Sequence, residues 1–158
     1  MRMKRFKKIV CAFSVVCLMV LMLFSTVAFA APETLPADTY STQAGLVSLK
    51  APQFVVSTTT NERLAIAATA PEGTTVTVYR YDAASGLYNK AYLNEAPVEA
   101  VVGSTMLFAG QVDLAFGVNK FLIRGEAIDG TATVVRFDVT LLNKGFMDRI
   151  KSIFELGF

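Results

Sequence analysis

The chain has 158 residues, no His, no Trp, two Cys, and 15 Lys and Arg against 13 Asp and Glu. Without histidine there is no Ser-His-Asp triad and no usual zinc site, and both cysteines, Cys11 and Cys17, lie in an N-terminal apolar run whose removal would also leave no thiol nucleophile. The basic excess sits there too: Arg2, Lys4, Arg5, Lys7 and Lys8 precede that run, and the remainder holds ten basic residues against 13 acidic ones, a net of −3 that offers nucleic acid no concentrated basic face.

Residues 1–30 are predicted to be a secretory signal peptide. The basic start is followed by residues 9–24, apolar apart from Ser14, and then by Ala28 and Ala30 at the two positions where a signal peptidase requires small side chains. Cleavage is expected after Ala30, with a retained membrane anchor as the alternative, because the run is long enough to span a bilayer. Cys11 and Cys17 each follow Val, which does not suit lipidation. The product is expected to be secreted or extracytoplasmic and envelope-associated, with no disulfide. Residues 31–44 are rich in Pro, Thr, Ser, Ala and acids without an apolar period, and are expected to form a disordered tether.

Residues 45–143 show short β-prone runs separated by turn residues, the pattern of a sandwich. Strands are predicted at 46–49, 53–57, 64–70, 75–81, 87–93, 98–102, 105–114, 120–128 and 131–142. Alternation puts Leu64, Ile66, Ala68 and Ala70 on one face, and likewise Val76 with Val78, Phe121 with Ile123, and Val135 with Phe137, Val139 and Leu141. Arg80 falls in phase with the valines and must therefore lie at a strand end. Pro71-Glu72-Gly73 reads as a turn, and Asp129-Gly130 as the turn of a hairpin. From 144 to 158 the spacing changes: Phe146, Met147, Ile150, Ile153 and Phe154 recur every three or four residues, predicting a short amphipathic helix with these residues as its contact face.

The sequence Ala70-Pro71-Glu72-Gly73-Thr74-Thr75-Val76-Thr77-Val78-Tyr79, followed by Gly117-Val118-Asn119-Lys120-Phe121-Leu122-Ile123 and Asp129-Gly130-Thr131, resembles the bacterial immunoglobulin-like domains of secreted and cell-surface proteins. The resemblance spans residues 53–142 and implies an antiparallel immunoglobulin-like β-sandwich. It further implies an adhesive, spacing or carbohydrate-associated role, with the middle segment 82–104 as the variable part. Some surface domains of this kind join a first-strand Lys to a last-strand Asn beside a buried acid, and Lys50, Glu126 and Asn143 stand in that order.

Tyr79 and Tyr81 alternate opposite the valines, and Tyr88 and Tyr92 follow in phase on the next strand, so the four are candidates for one outward binding patch for a protein or a glycan, against the favoured reading that the middle segment or the C-terminal helix covers them or that they pack across strands. Glu95 and Glu99 flank Pro97 and read as solvated loop acids, not as a catalytic pair. The expected function is a non-enzymatic binding or spacer module of adhesion type at the cell surface, needing no metal or cofactor. The alternatives are a carbohydrate-binding module, or a membrane-peripheral accessory subunit that uses residues 146–158.

Overall fold

In the computed structural model the chain divides into two compact units, Met1–Ala30 and Ala31–Phe158. The structure describes residues 31–145 and Ser152. The leader with Ala28 and Ala30, and the helix contact face of Phe146, Met147, Ile150, Ile153 and Phe154, lie outside the described residues. Within them the strands run β1 (Thr34–Pro36), β2 (Ser48–Ala51), β3 (Val56–Thr59), β4 (Arg63–Thr69), β5 (Thr75–Asp82) and β6 (Leu87–Lys90). They continue with β7 (Tyr92–Leu93), β8 (Ala96–Pro97), β9 (Glu99–Val101), β10 (Leu107–Asp113), β11 (Gly117–Glu126) and β12 (Ala132–Leu141). The fold is all-β and sandwich-like. A seven-stranded sheet has the order β1-β6-β5-β11-β12-β3, with β9 also on β5, and faces a three-stranded sheet of order β10-β4-β2.

Period-two alternation explains the core. On β5, β11 and β12 the inward residues Val76, Val78, Phe121, Ile123, Phe137 and Val139 meet Ile66 and Ala68 from β4 and Phe108 and Val112 from β10. Phe121 and Phe137 are cross-strand partners whose rings stack at 5.4 Å. Gly125 permits the close approach of the chain entering β2: a Cβ there would meet the Val47 Cβ at 2.9 Å. The predicted hairpin forms, with β11 and β12 paired antiparallel from Gly117↔Leu141 to Glu126↔Ala132. Asp129 closes its turn by accepting the Thr131 N–H at 2.9 Å.

Asn119 accounts for the Gly-x-Asn motif. Buried at the start of β11, it accepts the Ala115 N–H at 2.9 Å and donates to the carbonyls of Ala115 at 2.8 Å and Gly117 at 3.0 Å. These bonds fasten the loop between the two sheets and satisfy the polar atoms of the buried Asn119 side chain.

Residues 31–44 are not a disordered tether. β1 adds to the edge of the large sheet, with Leu35 opposite Tyr88, and Lys90 N–H donates to the Glu33 carbonyl at 2.8 Å. The chain then crosses the outer face of the sheet. Arg136 donates to the carbonyls of Ala37 and Thr39, Ser41 Oγ accepts the Val134 N–H at 2.9 Å, and Thr42 and Gln43 donate to the Ala132 carbonyl. Composition misled here because Leu35 is the segment's one large apolar anchor. Its order comes from backbone pairing and from side chains that lie about 50 to 100 residues away in sequence.

The remaining differences are local. The predicted strand 53–57 begins only at Val56, after the cis Ala51–Pro52 bond. The predicted strand 87–93 is broken at Ala91, after which β7 and β8 form a small hairpin turned by Asn94 and Glu95, both at positive φ.

Candidate functional site

The four tyrosines are only partly brought together, and they make no outward patch. Tyr81 and Tyr88 are cross-strand partners with rings 5.3 Å apart. Tyr79 is 0% exposed and Tyr88 5%, packed with Leu35 and Leu122 in a second apolar cluster beneath the crossing segment. The Tyr79 hydroxyl donates to the Pro32 carbonyl at 2.9 Å, and burial pushes its pKa up. Tyr92 is half exposed, and its hydroxyl donates to Glu33 at 2.8 Å. The rings therefore hold the N-terminal segment down. An alternating strand reads the same whether its second face meets water or a cover.

The same segment is pinned by charge. Lys90 Nζ, with a side chain only 5% exposed, lies 3.1 Å from Glu33 and 3.3 Å from Glu99, and donates to the Ala31 carbonyl at 2.8 Å. Thr77 Oγ1 donates to Glu99 at 2.9 Å. Burial pulls the Lys90 pKa down, but hydrogen bonds and charge from Glu33 and Glu99 outweigh it, and the net direction is upward. Hydrogen bonds from Tyr92 and then Lys90 hold the Glu33 carboxyl below its ordinary range. A carboxylate depressed in the folded state stabilises above its unfolded pKa, about 4.3, and loses that contribution as pH falls. Below about pH 4 the Leu35 methyl resonances should therefore shift toward exposed positions in an NMR titration, with a smaller change in Glu33→Gln. Identical profiles in the two proteins would contradict the assignment.

The proposed Lys–Asn pair is not assembled. Lys50 is exposed on β2, Glu126 is ion-paired with Arg124, and Asn143 accepts the Gly145 N–H at 2.8 Å where the chain turns helical at Lys144. Glu99 belongs to the Lys90 cluster and is not a solvated loop acid.

Among the described residues an apolar run and a cleft are open to solvent. The first is the run Phe54, Val55 and Val56, exposed by 66%, 59% and 71%, which leads into β3 at the edge of the large sheet. The backbone of β3 pairs with β12 on one side, from Val56↔Asp138 to Leu141↔Thr59, and ends the sheet on the other. The second is a cleft of about 340 Å³ between the sheets, lined by Arg80, Asn89, Tyr92, Val112, Asp113 and Phe121 among others. Arg80 donates to Asn119 and lies over the Phe121 ring at 5.6 Å, and no carboxylate is within ion-pair distance of it among the described residues. The cleft was not found from sequence, although an arginine in phase with core valines was its signal. Among the described residues no group of three metal-ligating side chains occurs. Comparison with protein-family models and with curated proteins returns no match for this chain.

Proposed function

We propose that this protein is an exported, non-enzymatic module with an immunoglobulin-like sandwich that binds or spaces a partner protein at the bacterial cell envelope. The observation that carries the reading is the Phe54-Val55-Val56 run leading into β3, whose outer edge is unpaired among the described residues. Edge strands in monomeric proteins are normally blunted by charge or cover, because their free N–H and C=O groups invite another strand. Three consecutive exposed apolar side chains do the opposite. They suit an extended segment of a partner that adds to the sheet and seats its alternate side chains on Phe54 and Val56.

The immunoglobulin-like assignment is supported by the chain passing from β2, paired with β4 in the small sheet, to β3, paired with β12 in the large one. The turn at Pro71-Glu72-Gly73 and the role of Asn119 agree with it. Export is supported by the leader pattern of residues 1–30 and by the start of the second compact unit at Ala31. Expressed from the full-length gene in a bacterium, the product should begin at Ala31 by intact mass and be retained by the envelope fraction. Full-length protein in the cytoplasm would refute the reading.

A further inference from the structure

We propose that the cleft between β5, β6 and β10 is a binding site for a neutral sugar unit. This rests on the binding-module reading but not on the β3 edge. A sugar presents adjacent hydroxyls, each both donor and acceptor, together with apolar C–H faces. Its site therefore needs donors and acceptors side by side against an apolar wall. Arg80 supplies donors: one nitrogen is bonded to Asn119, one face is covered by Phe121, and the other N–H groups stay at the cleft. The Asn89 side chain, in register with Arg80 on β6, makes no hydrogen bond among the described residues and offers a donor and an acceptor. Asp113 adds an acceptor, since only its Oδ1 is engaged, by Arg63 at 2.9 Å. Phe121 and Val112 close the floor, and the half-exposed Tyr92 stands at the side with its hydroxyl tied to Glu33.

The charge balance selects a neutral ligand. Asp82 and Asp113 line the same cleft as Arg80, and Lys90 is committed to Glu33 and Glu99, so an anion would find no net positive field. The volume lies at the lower end of the roughly 300–1,000 Å³ usual for small-molecule sites, which suits one or two sugar rings.

The test is calorimetric and NMR titration of protein purified from the full-length gene with neutral hexoses, N-acetylhexosamines and their disaccharides. Glucuronate and N-acetylalanine serve as anionic comparisons. At least one neutral sugar should bind with Kd on the order of a millimolar or tighter, equally well in low and moderate salt, with shifts at Asn89 and Tyr92. Asn89→Ala and Asp113→Asn should each weaken it about tenfold. Both sites lie outside the Asn119 network, so these variants should fold even where Arg80→Gln does not. No neutral-sugar binding, binding unchanged in both variants, or salt-sensitive binding of the anions alone would overturn the proposal. Because the titration uses no envelope material, its failure would leave the β3 reading untouched.

Discussion

A chain starting at Gly45, without residues 31–44, should melt about 10 °C lower than one starting at Ala31 and should bind a hydrophobic dye. The segment covers Tyr79, Tyr88 and Leu122 with Leu35, whose burial alone contributes about 1.5–3 kcal/mol. Its loss also removes Glu33 and the Ala31 carbonyl from Lys90, leaving that ammonium with Glu99 and with water. The entropy of ordering the segment offsets part of this, which keeps the net effect below the sum. Lys90→Met is the corresponding point test and should loosen residues 31–36 in hydrogen exchange while leaving the β11–β12 hairpin protected. A melting temperature unchanged by the truncation would mean that the segment is an ornament on the sheet.

Replacing either ring at the centre of the sandwich should cost more. Phe121 and Phe137 are each 1% exposed and stacked on each other across β11 and β12. Phe121→Ala and Phe137→Ala should each destabilise by about 3–5 kcal/mol in urea unfolding, a large share of the total for a domain of this size. The double variant should lose less than the sum by about 0.5–1.5 kcal/mol, since the second truncation removes a ring whose stacking partner has already gone. A single-variant loss below about 1 kcal/mol would mean that the core closes around the void without effect.

Much of the sheet was legible because its signals are local. Alternation placed Val76 with Val78, Phe121 with Ile123, and Phe137 with Val139 on single faces, and Asp129-Gly130 marked the hairpin, although its register, Glu126↔Ala132, belongs to a five-residue connection and not to a two-residue turn. The N-terminal cover was not legible, because its partners Lys90, Ala132, Val134 and Arg136 are remote in sequence and its bonds are mostly to backbone atoms. That one omission left the tyrosine patch standing as a candidate and put the cover in the wrong segments. With the cover in place Tyr79 and Tyr88 are interior residues, although the alternation that named them was correct.

The open cleft shows the complementary case. Arg80 was visible as a charge in a hydrophobic phase, but which polar groups would join it depended on the pairing Arg80↔Asn89 and on β10 lying across the sandwich. Phe54, Val55 and Val56 fall within the predicted strand 53–57. The chain instead leaves the small sheet at Ala51 and joins the large one only at Val56, so Phe54 and Val55 lie exposed in the crossing and Val56 lies exposed at the start of β3.

Retention by bacterial envelope material tests the central reading most directly, comparing exported wild-type protein with the double variant Phe54→Asp and Val56→Lys, whose lysine stands in register with Asp138. Both positions are solvent-exposed, so the variant should fold with an unchanged melting temperature. The variant should be retained at least about tenfold more weakly. Equal retention of the two proteins would contradict a binding role for the β3 edge.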